Sequence, residues 1–329
     1  MKVLLTGAAG FIGFHVAQRL LAQGARVLGL DDLNDYYSVA LKRDRLRLLE
    51  AQERFQFRQL DIASHRSLEA IVAYAADVDI VLHFAAQAGV RYSLQNPFAY
   101  VDSNVRGQVV VFEAAARLTR RAPVVYASSS SVYGADEAVP FTETARADRP
   151  VSIYAATKRA GELLAHAYSA LHGIRSTGLR LFTVYGRYGR PDMAPWLFTE
   201  AILNGRPIPV FNNGEMLRDF THVDDIVDGV MAAAKRILER PGETEPIYNL
   251  GHNSPVMLLD FIAAIEKAAG CRAIMDMRPK PAGDVVRTCA DIALAERDLG
   301  FRPGTSLDDG IADFVGWFKT YSARSGGHR

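Results

Sequence analysis

The sequence predicts an α/β fold, in which a doubly wound parallel sheet is joined to a smaller α/β lobe. Short apolar runs recur through the first 181 residues, and their composition is typical of buried parallel strands. Segments with helical periodicity separate these runs, as expected for a sheet with helices on both faces. After residue 181 the alternation is interrupted by many prolines, glycines and arginines, which indicates that a second unit begins there.

Composition narrows the classes of function. The 329 residues carry a formal net charge of +1, so we expect neither a nucleic acid nor an anionic membrane as a partner. Cys271 and Cys289 do not make a disulfide framework, and a reducing cytoplasm is the simplest location. No run of about 18 apolar residues predicts a membrane span. The histidines and cysteines show no metal-ligand spacing, so we predict no metal.

The first strand, residues 2–6, runs into a glycine-rich turn and then a helix that ends near Gly24. Glycines at such a turn let the backbone approach a pyrophosphate at the helix N-terminus. The second strand, residues 26–30, ends at Asp31, where a carboxylate can bind the adenosine ribose hydroxyls. This frame predicts a Rossmann-type dinucleotide site, and the adjacent acids Asp31 and Asp32 favour NAD over NADP because they repel a 2′-phosphate. The predicted cofactor contacts in the turn are Gly7, Gly10, Phe11, Ile12 and Gly13.

The third and fourth strands, residues 55–60 and 79–84, end in further candidate cofactor residues. Asp61, followed by Ile62, can bind the adenine amino group or can equally cap a helix over 65–76. Small residues after the fourth strand leave room for a flat cofactor. Lys42 and Arg43 lie too far along the chain to be assigned to the cofactor.

The fifth strand, residues 123–127, ends in a run of four serines, at the edge where ligands bind in open parallel sheets. A helix over 153–171 carries Tyr154 and Lys158 on one face. An ammonium beside a phenol favours phenolate, so Tyr154 can act as a base near neutral pH. Chance alone can produce this spacing. Apolar residues on this helix and on a helix over 98–118 predict burial against a second copy of the chain, hence a homodimer.

The remaining segments complete the two units. Residues 174–181 form a sixth strand, and a helix over 223–238 and a strand over 246–251 return to the sheet. We therefore predict a cofactor domain over 1–181, joined by about 223–254, and a substrate-binding lobe over 182–222 and 255–329.

Taken together, these motifs resemble the extended short-chain dehydrogenase/reductase family of NAD-dependent nucleotide-sugar epimerases and dehydratases. The residues that carry the resemblance are Thr6 to Gly13, Asp61-Ile62, His83-Phe84-Ala85-Ala86, Asn104, Ser128-Ser129, Tyr154, Lys158 and Arg218 to Asp225. Within the family the chain is most similar to UDP-glucuronate 4-epimerases, through residues 88–93, 182–186 and 190–194.

The resemblance implies roles for individual residues. It makes Ser129, Tyr154 and Lys158 catalytic, and it adds Phe84, Ala85, Ala86 and Asn104 to the NAD site. Thr183 and Arg190 correspond to residues that hold the sugar carboxylate, although Arg190 can also be a surface loop arginine. The further substrate contacts are Arg218 at the diphosphate, Asp284 near the uridine ribose, and Ser130 and Ser131 beside the sugar. Arg91 can approach the substrate or lie on the surface, and Phe211 can flank the uracil or belong to the core.

The implied reaction is 4-epimerisation of UDP-glucuronate to UDP-galacturonate through a 4-keto intermediate. Three alternatives stay open: 4-epimerisation of another UDP-sugar such as an N-acetylhexosamine or a pentose, decarboxylation of UDP-glucuronate, and a non-catalytic NAD-binding protein. Dehydration is disfavoured because Ser130 and Ser131 replace the Asp-Glu pair of the dehydratases.

Overall fold

A computed structural model describes residues 1–135, 139–240, 246–279 and 285–325. Its centre is a sheet of seven parallel strands in the order β11-β6-β5-β4-β1-β2-β3, which confirms the predicted fold class. These strands are β1 (Lys2–Thr6), β2 (Arg26–Asp31), β3 (Phe55–Gln59), β4 (Ile80–His83), β5 (Val124–Ser129), β6 (Ser176–Leu181) and β11 (Tyr248–Leu250).

The strand order reverses between β1 and β4. The chain moves outward from β1 through β2 to β3, returns to β4 on the other side of β1, and then continues outward through β5 and β6. Ligands in open α/β sheets bind at such a switch point, beyond the carboxyl ends of the strands. The topology therefore places Gly7, Phe84 and the serine run along one crevice.

Helices cover both faces of the sheet, and each face has its own apolar core. On one face α1 and α8 pack over β1, β2 and β6 around residues such as Phe14, Leu20 and Val230. On the other face α3, α5 and α6 pack over β4 and β5 around Ile71, Phe112 and Ala165. The helix bounds are α1 (Phe11–Ala22), α2 (Val39–Glu50), α3 (Ser67–Tyr74), α4 (Pro97–Tyr100), α5 (Gly107–Arg117), α6 (Ile153–His172), α7 (Ala194–Leu203), α8 (Val223–Glu239), α9 (Leu258–Ala269), α10 (Ala293–Leu299) and α11 (Leu307–Ser325).

The single helix expected over 98–118 is divided in the structure. A wider π-helical segment, Val101–Arg106, separates α4 from α5. π-Helical turns often occur at functional sites because they redirect one side chain. Here the side chain of Asn104 is buried, and its amide bonds the backbone of Gln87.

The helix α2 was absent from the sequence prediction. It begins after Ser38, whose hydroxyl accepts a hydrogen bond from the Leu41 backbone N–H at 3.3 Å. A serine before an apolar stripe is an N-cap signal that could have revealed this helix. The omission matters because α2 carries the buried Lys42 and Arg45 to the cofactor crevice.

The smaller lobe has a separate core formed by α7, α9 and α11 with three two-stranded sheets. Those sheets pair β7 (Thr183–Tyr185) with β10 (Phe220–His222), β9 (Leu217–Arg218) with β12 (Val256–Met257), and β8 (Pro207–Phe211) with β13 (Ile274–Arg278). As expected, α8 and β11 return to the large sheet. One segment of the predicted lobe, α10, packs with Ala295 in the core of the large sheet instead. The division into two domains stays a proposal.

Two negative findings concern the described ranges. Each helix there is too short or too polar to cross a lipid bilayer. The same ranges hold no cluster of three or more His, Cys, Asp or Glu side chains that could bind a metal ion.

Candidate active site

One cavity follows the carboxyl ends of β1, β2, β4, β5 and β6 and reaches the lobe. It brings together residues that are separated by more than 200 positions in the chain. The predicted site residues that line it are Gly7, Gly10, Phe11, Ile12, Gly13, Asp31, Asp61, Ile62, Phe84, Ala85, Ala86, Ser129, Ser130, Ser131, Tyr154, Lys158, Thr183, Arg190 and Arg218.

The glycine turn at one end of the cavity fits a dinucleotide pyrophosphate. Gly7 has a φ of +75°, and a Cβ on it would lie 2.6 Å from the Ala85 nitrogen. Gly10 is the N-cap of α1 and has no side chain to occupy the N–H groups of the first turn. Those N–H groups and the helix dipole are available to an anion.

Asp31 lies next to this turn and is buried. Its carboxylate accepts hydrogen bonds from the backbone N–H groups of Leu33 at 2.9 Å and Ala9 at 3.1 Å. Burial raises the pKa of Asp31, and the Leu33 hydrogen bond and the charge of Lys42 oppose that rise. The carboxylate thus fixes the turn and also presents its remaining lone pairs to the cavity.

Lys42, which the sequence analysis set aside, lines the cavity beside Asp31. Its ammonium donates to the Asn34 carbonyl oxygen at 2.6 Å. Burial lowers the pKa of Lys42, while Asp31 and Asp32 act to raise it. The two acids therefore face a buried cation, which partly offsets their repulsion of a ligand phosphate.

Asp61 lines the cavity, and the alternative role as a helix cap is wrong. The helix α3 begins at Ser67 with Arg66 at its N-cap. Asp61 Oδ1 accepts from the Ala63 backbone N–H at 2.8 Å, which closes a turn after β3.

Asn104 does not line the cavity but holds the loop that does. Its Oδ1 accepts from the Gln87 N–H at 2.8 Å, and its Nδ2 donates to the Gln87 carbonyl and to Thr157 Oγ1 at 3.0 Å each. Gln87 lines the cavity, and its Nε2 is buried. The resemblance did not point to Gln87, and the local sequence offers no signal for it.

The serine run turns sharply at the end of β5. Ser129 Oγ accepts from the Ser131 backbone N–H at 3.2 Å and faces the cavity. Ser128 points the other way, where its hydroxyl donates to Glu162 at 2.6 Å inside the protein. Ser128 also lines the cavity, but its hydroxyl is bonded to Glu162, so Ser129 is the first serine of the run whose hydroxyl can contact a ligand.

Tyr154 and Lys158 reach the same point from α6, which begins after the N-cap Ser152. Burial raises the pKa of Tyr154, whereas a hydrogen bond from Ser129 and the charge of Arg190 act to lower it. Lys158 donates to the Ala127 carbonyl at 2.9 Å, and burial lowers its pKa to about 8. Arg190, which the sequence did not connect with Tyr154, is a cation whose charge acts to lower the pKa of the phenol, and the effect of Lys158 on Tyr154 stays a prediction.

Arg190 is not a surface loop arginine, because 18% of its side chain is exposed and it lines the cavity. The Asp192 carboxylate accepts from its Nε at 3.0 Å and from its Nη2 at 2.5 Å. Sequence reasoning missed this pair. Because a guanidinium has five N–H donors, Asp192 leaves three of them, including the second two-pronged edge, for other acceptors.

Three predicted substrate residues are not placed in the cavity. The Arg91 guanidinium lies 5.0 Å from the centroid of the Phe211 ring, and neither residue lines the cavity described here. Their contact is a cation–π interaction on the lobe side. Asp284 lies outside the residues that the structure describes.

Comparisons with known proteins show which family this chain is similar to. Residues 3–251 match the NAD dependent epimerase/dehydratase family. A probable UDP-glucuronate 4-epimerase of Rhizobium meliloti is 42% identical over 97% of each chain, and UDP-glucuronate 4-epimerase 4 of Arabidopsis thaliana is 44% identical over 98% of this chain and 76% of its own. The crystal structure of UDP-glucuronic acid 4-epimerase from Bacillus cereus with UDP-glucuronic acid and NAD is similar at a TM-score of 0.89, with 33% identity over 98% of this chain and all of the other.

Proposed function

The chain belongs to the NAD-dependent epimerase/dehydratase family, and we propose on that basis that it interconverts UDP-glucuronate and UDP-galacturonate at C4 of the sugar. The observation that carries the proposal is the position of Arg190. It is a largely buried cation at the sugar end of the cavity, and its charge reaches the phenol of Tyr154. The N–H groups of Arg190 that Asp192 does not occupy can bond the carboxylate of a uronate.

The cofactor is NAD. When bound, NAD+ accepts the hydride of sugar C4 and returns it to the opposite face of the 4-keto sugar. The glycine turn would hold its pyrophosphate, Asp31 its adenosine ribose, and Phe84 with Ala85 and Ala86 would lie along it. Lys158, which reaches the same cavity from α6, would contact its nicotinamide end.

Tyr154 takes the proton of the 4-hydroxyl and returns it after the sugar has turned. Its pKa must be lowered from the value set by burial, and the structure supplies two groups that do so, Ser129 by a hydrogen bond and Arg190 by its charge. Ser129 can also bond the oxygen at C4 and hold it at Tyr154. When the substrate is bound, its C4 oxygen would therefore contact both Ser129 and Tyr154.

A uronate adds a hazard, because its 4-keto form is a β-keto acid. Such an acid loses CO2 when the bond between C5 and the carboxylate stands perpendicular to the carbonyl plane. The remaining N–H groups of Arg190 can hold the carboxylate away from that geometry, and Thr183, Ser130 and Ser131 add neutral donors in the same cavity. Retention of the carboxylate is what separates an epimerase from a decarboxylase on this fold.

The direct test is to incubate the purified protein with UDP-glucuronate and to identify the product by NMR, with and without added NAD. We expect UDP-galacturonate. A UDP-pentose with release of CO2 would establish the decarboxylase alternative. Conversion of UDP-N-acetylhexosamines or UDP-pentoses, but not of UDP-glucuronate, would establish another 4-epimerase. NAD binding without turnover of any UDP-sugar would establish the non-catalytic protein.

The role of Arg190 has its own test. In Arg190→Ala the carboxylate loses a two-pronged contact, so kcat/KM for UDP-glucuronate should fall by about 100-fold or more while NAD binding is retained. Arg187→Ala is the matched control, because Arg187 is 43% exposed and pairs with Asp313 on the outside of the same loop. An unchanged kcat/KM in Arg190→Ala would refute the assignment of the carboxylate contact.

We extend the proposal to assembly and location. The side chains of Phe98, Leu163 and Leu171 on α4 and α6 are 77%, 56% and 77% exposed, which supports a homodimer through these helices. A monomer in sedimentation at micromolar concentration would exclude it. The free cysteines Cys271 and Cys289 support a cytoplasmic location.

A further inference from the structure

We propose that Tyr36 and Asp192 form a clamp that positions the Arg190 guanidinium for the carboxylate of the substrate. The inference rests on the proposed function, because it concerns how the uronate is held. Tyr36 and Asp192 are positioning residues that act through Arg190. We call Tyr36, Asp192 and Arg190 together the Arg190 clamp.

The first half of the clamp is the pair between Arg190 and Asp192. Two parallel hydrogen bonds join the Nε/Nη2 edge of the guanidinium to the two carboxylate oxygens. A fork-to-fork pair of this kind fixes the plane of the guanidinium as well as its position. The Nη1/Nη2 edge is then the one left to meet a second planar anion.

The second half is Tyr36, which comes from the segment after β2 at the other end of the cavity. Its hydroxyl donates to Asp192 Oδ2 at 2.8 Å, so it fixes the acceptor that fixes Arg190. Its ring lies 4.7 Å from the ring of Tyr92 and 6.0 Å from the Arg190 guanidinium carbon. Gly89 makes this approach possible, because a Cβ at that position would lie 2.5 Å from the Tyr36 hydroxyl.

The clamp lowers the entropy that the Arg190 side chain loses when it binds an anion. A free arginine side chain loses rotamer entropy when it binds an anion, so a preorganised guanidinium binds with a smaller entropic penalty. Asp192 and the Tyr36 hydroxyl restrict it before the substrate arrives. The same restriction fixes the angle at which the sugar carboxylate is held.

That angle has a chemical consequence. In the 4-keto sugar, the bond between C5 and the carboxylate carbon can break, with release of CO2, once it stands perpendicular to the plane of the C4 carbonyl. The electron pair of that bond forms the enolate of the 4-ketone, which takes a proton at C5 from solvent, and return to C4 of the hydride that was removed there would give UDP-pentose. A loosened Arg190 should therefore raise the share of product that has lost CO2, in addition to weakening the binding of the uronate.

The test compares Tyr36→Phe and Asp192→Asn with the wild-type holoenzyme. Calorimetry measures the Kd for UDP-glucuronate and for UDP-glucose, which lacks the carboxylate. We expect both variants to bind UDP-glucuronate about tenfold more weakly, as for the loss of one hydrogen bond to a charged group, and to bind UDP-glucose as the wild type does. NMR of the products should show an increased fraction of UDP-pentose. Tyr92→Phe is the matched control, because it removes a neighbouring tyrosine hydroxyl that is not bonded to Asp192.

Each other outcome has a distinct meaning. Tighter binding of UDP-glucuronate by Asp192→Asn would show that Asp192 competes with the substrate for Arg190, and this would overturn the proposal. Equal weakening for both UDP-sugars would show a general structural role and overturn it as well, as would unchanged binding and products. If the wild type does not convert UDP-glucuronate at all, the proposed function fails first, and the calorimetric preference for the uronate still tests the clamp.

Discussion

Replacement of Glu162 by alanine should destabilise this protein strongly, since its carboxylate compensates a cation beneath the active site. Glu162 and Arg180 are 1% and 3% exposed, and the guanidinium donates to both carboxylate oxygens at 2.8 and 2.9 Å. Ser128 donates to the same carboxylate at 2.6 Å. The variant Glu162→Ala leaves the charge of Arg180 buried without its partner.

The magnitude follows from that burial. Breaking a buried ion pair by removing one partner destabilises a protein by about 3–5 kcal/mol, and the orphaned Ser128 hydroxyl adds about 1 kcal/mol. Arg159 provides the matched control. It bonds the same carboxylate at 2.7 Å but is 31% exposed, so Arg159→Ala should cost about 1 kcal/mol or less.

The assay is urea denaturation at a fixed NAD concentration, because a bound cofactor shifts the apparent stability. A Glu162→Ala midpoint that falls no further than that of Arg159→Ala would refute the reasoning.

The pH dependence of stability gives a second check. Although burial opposes it, the hydrogen bond and charge of Arg180 hold the pKa of Glu162 below its usual value, so its contribution is present above about pH 4.5 and is lost as the pH falls through the folded pKa. Glu162→Gln should lose that part of the acid dependence.

Three further predictions concern the site itself. Tyr154→Phe should lower kcat by about 100-fold or more with NAD still bound, since it removes the group that moves the proton; a rapid turnover of UDP-glucuronate would count against that role. Gly13→Ala should weaken the folded state and NAD binding, because its Cβ would lie 2.1 Å from the Gly7 carbonyl oxygen, and unchanged thermal unfolding and NAD affinity would contradict this. Burial lowers the pKa of Lys158 from 10.5 to about 8, so the unfolded chain binds more protons than the folded chain between these values and the stability of NAD-depleted protein rises with pH there. Lys158→Met should therefore raise the free energy of unfolding, measured by urea denaturation at pH 7, by at most about 3 kcal/mol, with a smaller gain at pH 10. Equal gains at both pH values would contradict the assignment.

The features that the sequence predicted are those whose signals are local. The strand, glycine turn, helix and acid from residue 2 to Asp31 lie within one stretch of chain, and the structure places each of them as expected. The pairing of Tyr154 with Lys158 on α6 is also a matter of helical spacing. Asn104 was identified by resemblance, but the π-helical turn that directs it at Gln87 depends on the tertiary bonds to Gln87 and Thr157.

The sequence did not predict that the charge of Arg190 acts on Tyr154, for a related reason. Lys158 is four residues away and therefore conspicuous in the sequence, yet its ammonium is bonded to the carbonyl of Ala127 on β5. Arg190 is 36 positions away and reaches the phenol because β7 and the following loop fold over the end of the sheet. Spacing in the sequence could show that Tyr154 and Lys158 share one face of α6. It could not show that Arg190 also acts on the pKa of Tyr154.

Arg45 connects two segments that lie still further apart in the sequence. It is fully buried, and its two Nη atoms donate to the Ala9 carbonyl oxygen at 2.7 Å and to the Tyr188 carbonyl oxygen at 2.6 Å. A guanidinium satisfies several carbonyl groups at once, so one side chain joins the glycine turn of the cofactor site to the loop that carries Arg190. Because the backbone groups it bonds are separated by 179 positions, no periodicity or motif of the sequence could have identified it. The polar residues that join the two ends of the cavity, Arg45 and Tyr36 among them, are thus those that only the folded chain reveals.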